Sequence, residues 1–352
     1  MRFPLAIVGL ALGLVTQAMA DDSSLSPLPV LTVDPDAISI VGVSSGGYMA
    51  TQLAVAFPTR FHGLGVFAAG PWGCSRGDLS RALGQCMLTR LGPPDLALLA
   101  DRRDAYQADG LVGPGRELAD QRVYIWHGSA DTTVDPSLGE TLAEQYRAWL
   151  DDGDEQLRLD ISEGASHGWP VRNRDNGPPM ADCTDSGSPY LLDCNEDGAG
   201  EALTWLYGDL EAPQEPHRGM LWTFDQAPFE GGRGFDEQGY LFVPKTCEEG
   251  AECGLVVALH GCEMGRERIG ETFARYSGLN EWATANELVV LYPQARSSLP
   301  NPRGCWDWWG YAESTWQLHP IHDTREGRQV SAIMDMVEQL AGLSPPIEPG
   351  HH

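Results

Sequence analysis

Three side chains suited to acyl transfer stand in a fixed order along the chain: Ser44, Asp131 and His167. Ser44 is the centre of Gly42-Val43-Ser44-Ser45-Gly46, a G-x-S-x-G pentapeptide. In such a turn the small flanking residues tolerate a strained backbone and leave the serine oxygen exposed at the tip. A serine hydroxyl becomes a useful nucleophile when an imidazole takes its proton and a carboxylate holds that imidazole. Asp131, in His127-Gly128-Ser129-Ala130-Asp131, is the orienting acid. Asp135 is set instead to cap the helix expected over 137–150, and His127 reads as a structural loop histidine rather than a base. His167 follows in Ala165-Ser166-His167-Gly168-Trp169 and is the expected base.

The surrounding pattern places all three groups at strand ends. Residues 37–41 form an apolar run typical of a buried strand, and 48–57 repeat apolar residues at helical spacing before Pro58, so Ser44 falls on a strand-turn-helix elbow. Strands over 123–126 and 157–161 precede Asp131 and His167. Functional groups of α/β sheets gather at the carboxyl ends of strands. Ser, then Asp, then His is the chain order of α/β-hydrolases, unlike the orders of chymotrypsin-like or subtilisin-like proteases.

The later part of the chain carries strands over 239–244, 254–262 and 288–293. The middle one ends in His260-Gly261-Cys262, a turn expected to lead into a helix over 269–284. A strand ending in His-Gly is where α/β-hydrolases place the second oxyanion-hole amide, normally before the nucleophile. Here it follows the histidine. A separate second domain and a circular permutation of one sheet both explain that order, and permutation fits better, because neither half has a complete site. The helix expected over 325–341 would then pack where the chain enters at 31–34, with 211–217 as the connection. Residues 193–198 imitate the opening of a calcium loop, but Thr204 stands where a bidentate glutamate is required. That stretch reads as a loop feeding a helix over 201–210.

Residues 1–20 combine Arg2, an apolar stretch and Ala18-Met19-Ala20, the pattern of a cleaved secretory signal, which leaves one domain over 21–352. The formal charge is -27, with 50 acidic residues against 23 basic ones. That balance argues against nucleic acid or an anionic membrane as a partner. Eight cysteines after an export signal suggest disulfides of unfixed connectivity. We expect local pairing, with Cys262 bonded to Cys305. No C-x-x-C occurs and no histidine stands at ligand spacing beside a cysteine pair, so no metal is expected.

The motifs Gly42-Val43-Ser44-Ser45-Gly46-Gly47, Leu259-His260-Gly261-Cys262, Leu291-Tyr292-Pro293-Gln294 and Gly304-Cys305-Trp306-Asp307-Trp308-Trp309 together resemble the extracellular poly(3-hydroxybutyrate) depolymerases. The order is similar to that of their circularly permuted, single-domain members, over about 33–340. The resemblance implies an α/β-hydrolase fold with Ser44 as nucleophile, Asp131 and His167 as its partners, and the amides of Ser45 and Cys262 as the oxyanion hole. It implies a serine esterase acting on polyester polymer or oligomer without a cofactor; with the leader, we expect a secreted (extracellular or periplasmic) protein, and a monomer. Many relatives continue into a polymer-binding module, and no separate one is expected here. Alternating directions would send Trp306 and Trp308 to one side and Trp309 to the other, with at least one lining the cleft for an apolar acyl unit. The rival reading is a feruloyl or acetyl esterase of plant polysaccharide, which shares the fold and the serine chemistry.

Overall fold

The computed structural model describes residues 25–172, 179–214, 218–312 and 319–343. The expected leader at 1–20 and the end of the expected connection, 215–217, lie outside them. Twelve strands follow one another as β1 (Ser26–Pro27), β2 (Val33–Val43), β3 (Gly63–Phe67), β4 (Arg122–Gly128), β5 (Leu157–Ser162), β6 (Trp169–Val171), β7 (Ala181–Asp182), β8 (Leu191–Asp193), β9 (Gly219–Asp225), β10 (Gln238–Pro244), β11 (Cys253–Leu259) and β12 (Leu288–Tyr292). Nine of them form one sheet in the order β1-β9-β10-β12-β11-β2-β3-β4-β5. From β12 to β5 every neighbour is parallel, whereas β10 runs antiparallel to both β9 and β12. A small second sheet, β6-β8-β7, stands apart.

The central strands β3, β4, β11, β12 and the second half of β2 are buried on both faces because helices cover both. Ile38 and Ile40 of β2 join Leu255 and Val257 of β11 in one core, which also takes Leu53 of α1 (Ser45–Ala56) and Ile333 of the helix Arg328–Leu340. Val41 and Val43 join Val256 and Ala258 in the opposite core, beneath the helices Gly198–Tyr207 and Leu279–Ala285. β2 therefore sits at the centre of the sheet, between an early strand and a late one.

Several boundaries differ from the sequence reading. The helix expected over 269–284 is three short helices, Arg266–Ile269, Thr272–Tyr276 and Leu279–Ala285. Gly270 and Gly278 interrupt it at φ of 60° and 89°, a left-handed backbone that a continuous helix cannot contain. The helix expected over 201–210 begins earlier, where the Asp197 carboxylate accepts the Gly200 amide at 3.0 Å, and ends at Tyr207. Strand β11 stops at Leu259, so residues 260–262 belong to the loop. The final helix meets the segment at 28–31 as expected: the Leu31 amide donates to Leu340 O at 2.7 Å, and Gln339 Nε2 donates to Leu28 O at 2.7 Å.

All eight cysteines are paired, as Cys74–Cys86, Cys183–Cys194, Cys247–Cys253 and Cys262–Cys305. This is the local pairing expected. Among the described residues no helix is long and apolar enough to cross a membrane.

Candidate active site

Ser44 occupies the turn between β2 and α1 with φ 56° and ψ -119°. A non-glycine residue is strained there, and the surroundings hold it: the Ser44 amide donates to Phe67 O at 2.8 Å and the Tyr48 amide to Ser44 O at 3.1 Å. The turn is tight enough that only glycine fits beside it. A Cβ on Gly42 would lie 2.2 Å from Gly46 O, and one on Gly46 would lie 2.3 Å from Leu259 O. The second contact presses the start of α1 against the end of β11.

Asp131 follows β4, and His167 follows β5. The His167 Nδ1 donates to Asp131 Oδ2 at 2.7 Å, while Asp131 Oδ1 accepts the amides of Thr133 at 2.8 Å and Val134 at 2.9 Å. Burial alone would raise the Asp131 carboxyl. The hydrogen bonds from His127 and His167 outweigh it and hold the carboxyl well below the usual carboxylate range, so Asp131 is anionic. With its Nδ1–H donated in a hydrogen bond to Asp131, the His167 ring in this tautomer carries its basic lone pair on Nε2. That nitrogen can take a hydroxyl proton.

Ser44, His167, Ser45 and Cys262 all line one cavity of about 510 Å³, together with Trp308 and Trp309. Ser45 is the first residue of α1, a position whose amide has no acceptor within the helix. The Cys262 loop is brought to the same place by β11, whose Leu259 pairs with Gly42 of β2. Helix start and loop thus flank the serine from two sides, the arrangement an oxyanion hole requires.

The tryptophans divide differently from the expected alternation. Trp306 is fully buried and outside the cavity lining; its Nε1 donates to His260 O at 3.0 Å and its amide to Ser45 Oγ at 3.3 Å. Trp308 and Trp309 line the cavity together. The segment is a turn, not a strand, because both Asp307 carboxylate oxygens are taken by the amides of Tyr311 and Ala312. Period-two alternation does not apply to it.

Several contributors carried no sequence signal. Tyr48, a core position of α1 by its spacing, stacks on Trp308 with centroids 4.4 Å apart. Leu79, Leu83 and Met87, in and after the Cys74–Cys86 loop, form an apolar wall. His260, read only as part of the His-Gly turn, is a scaffold: its Nε2 accepts the Ala295 amide at 3.0 Å and its Nδ1 donates to Gly261 O at 2.7 Å. Burial pushes it down to about 4, so it is neutral. His127 is not a loop residue but part of β4, beside Asp131.

No family model matches the chain. It is 37% identical over 327 residues to a polyhydroxybutyrate depolymerase of Talaromyces funiculosus, covering 89% of this chain and 92% of the relative. A poly(3-hydroxybutyrate) depolymerase of Delftia acidovorans is 33% identical over 328 residues, 91% of this chain and 63% of that longer protein. Among solved structures, a PHB depolymerase complexed with an R3HB trimer superposes with a TM-score of 0.82 at 35% identity, over 91% of this chain and all of that one.

Proposed function

The chain belongs to the polyhydroxybutyrate depolymerase family, and on that premise we propose that it hydrolyses poly(3-hydroxybutyrate) or its oligomers through an acyl-enzyme on Ser44. It is a carboxylic ester hydrolase of the α/β-hydrolase fold. The observation that carries the residue roles is the Asp131–His167 hydrogen bond of 2.7 Å at the cavity that Ser44 enters. His167 Nε2 takes the Ser44 proton as the oxygen attacks the ester carbonyl. The amides of Ser45 and Cys262 receive the oxyanion, and each such donor typically contributes about 10²–10³ in rate. The tetrahedral intermediate collapses, His167 returns the proton to the departing hydroxyl end, and water repeats the sequence to free the acid. Asp131 keeps the imidazole in the tautomer that permits both transfers and stabilises its cationic form.

The circular permutation belongs to the same reading. In its favour are β11 lying directly beside the nucleophile strand β2 although it comes far later in sequence, and the contact of the last helix with Leu31. One domain over 21–352, monomeric and exported after loss of residues 1–20, completes the proposal. Four disulfides favour an oxidising compartment. The apolar wall of Leu79, Leu83, Trp308 and Trp309 suits a methyl-bearing acyl chain better than a sugar. Exposed Leu79, Leu83 and Leu299 offer a surface for solid polymer.

The test compares polyhydroxybutyrate suspension, methyl ferulate and acetylated xylan as substrates. Clearing of polymer alone is expected, and Ser44→Ala should sediment with polymer particles yet release no hydroxybutyrate. Ferulate or acetate release with intact polymer would transfer the chain to the polysaccharide-esterase reading.

A further inference from the structure

His127 is fully buried near the end of β4. Its Nε2 stands 2.9 Å from Val134 O and 3.2 Å from Asp131 Oδ2. Both neighbours are acceptors, so the proton of the neutral ring belongs on Nε2. The other nitrogen, Nδ1, is buried with no hydrogen-bond partner among the described residues. Gly139 is packed so closely that a Cβ there would lie 2.7 Å from it. A bare nitrogen in the interior costs stability that an apolar side chain would not lose. Packing therefore does not account for an imidazole at this position.

The acceptors at Nε2 account for it: Val134 O in the loop after β4, and beside it the Asp131 carboxylate. Its Oδ2 receives His167 and lies 3.2 Å from His127 Nε2, whose proton it shares with Val134 O, and its Oδ1 receives the amides of Thr133 and Val134. The two amides lie in the same loop as Asp131 and fix one edge of the carboxylate. His127 comes from the sheet itself and fixes the other. We propose that His127 is a positioning residue, whose Nε2–H locks the rotation of the Asp131 carboxylate and moderates the pull of Oδ2 on the His167 proton. The inference rests on the roles given above to Ser44, Asp131 and His167.

Without the His127 donor, the less shared charge of Asp131 would hold the His167 proton more tightly. The acid limb of kcat/KM would then move to higher pH. The other titratable groups facing this pair are Tyr48 from α1, which feels Asp131, and Asp135 before the helix Ser137–Arg147, which feels His127. Glu263 and Tyr190 stand elsewhere on the cavity wall. All four are common to every variant compared, so a shifted limb reports the His127 contact.

The test uses a soluble chromogenic short-chain ester and the full chain, with kcat, KM, melting temperature and pH profile measured for His127→Leu and His127→Gln. Leucine removes the donor, whereas the glutamine amide can reach the place of Nε2. We expect His127→Leu to lose about 10- to 100-fold in kcat with KM little changed, as small misplacements of catalytic groups do. Its acid limb should move upward, and His127→Gln should recover most of the lost turnover. Equal losses in both variants with an unmoved acid limb, or no loss in a folded His127→Leu, would overturn the proposal. If the leucine chain does not fold, His127→Asn replaces it, since its amide reaches only the Nδ1 side; equal turnover of the Asn and Gln variants then overturns the proposal equally well. Ser44→Ala and His167→Ala serve as controls. Activity surviving in either would sink the triad reading itself, a result separate from failure of the His127 variants.

Discussion

Gly261 lies against Ser44: a Cβ added to the glycine would sit 3.3 Å from the serine Cβ, although the two residues are far apart in sequence. The contact exists because Leu259 of β11 pairs with Gly42 of β2, so both strands end at the same level of the sheet. The proposed nucleophile and the proposed oxyanion loop are thus assembled by strand register.

This closeness gives the first prediction. Gly261→Val would push the Cys262 loop away from the serine, since the added carbons would also meet the Met264 sulfur, 2.9 Å from the Cβ position. Loss of one oxyanion donor costs about 10²–10³ in kcat, and a displaced loop should lose at least about tenfold. Steady-state kinetics on a soluble oligomer, beside a melting curve, check this. Wild-type kcat in the valine variant would refute the placement of the hole.

The tryptophans supply a second prediction. Trp306 is buried beneath the His260 loop, so Trp306→Ala should cost about 3–5 kcal/mol of stability, the usual range for a core Trp→Ala change. Trp309, partly exposed on the cavity wall, should act on substrate instead. Trp309→Ala should raise KM for oligomers several-fold, with a far smaller change in melting temperature. Chemical denaturation and oligomer kinetics separate the two, and a reversed pattern would contradict the assignment of Trp309 to the cavity.

How much of this was legible in the sequence depended on whether a signal was local. Ser44 with its glycines, and Asp131 and His167 just past strand ends, are read from short stretches whose spacing is fixed by strand and elbow geometry. The Trp306–Trp309 segment departs from strand alternation because Asp307 turns it through two side-chain hydrogen bonds that no periodicity reveals. The helix over 269–284 was joined across Gly270 and Gly278 because apolar spacing continues through both. His127 reads as a plain loop residue for a related reason. Its value lies in a 3.2 Å contact with Asp131 that depends on how the loop closes after β4.

The Cys262–Cys305 bridge gives the third prediction. It ties the proposed oxyanion loop to the segment that carries Trp306 and Trp308, and both its cysteines line the cavity. The double variant Cys262→Ser with Cys305→Ser should lose activity over a temperature range in which its fold persists. The stability loss should be about 2–4 kcal/mol, a typical disulfide contribution. Activity and circular dichroism followed together on heating test this, and coincident loss of both signals would mean that the bridge serves stability alone.

The last prediction concerns acid stability and rests on His260. Burial lowers this histidine to about 4, with the charge of Asp236 opposing the shift only in part, whereas the unfolded chain titrates near 6.5. Between those values the unfolded state binds a proton that the folded state refuses, so unfolding is favoured as pH falls. Full stability is present above about pH 6.5 and is lost progressively toward pH 4, by roughly 3 kcal/mol at about 1.4 kcal/mol per unit. His62, also lowered chiefly by burial, acts in the same direction as the pH falls. Asp131 is separable, because a depressed carboxyl loses its contribution only below about pH 4. The variant His260→Gln keeps an acceptor for the Ala295 amide and removes the titration. Its unfolding free energy, measured by denaturant titration at pH 7 and pH 4.5, should therefore fall by less between the two than that of the wild type. An equal fall would show that His260 is not the neutral buried scaffold on which the Cys262 loop rests.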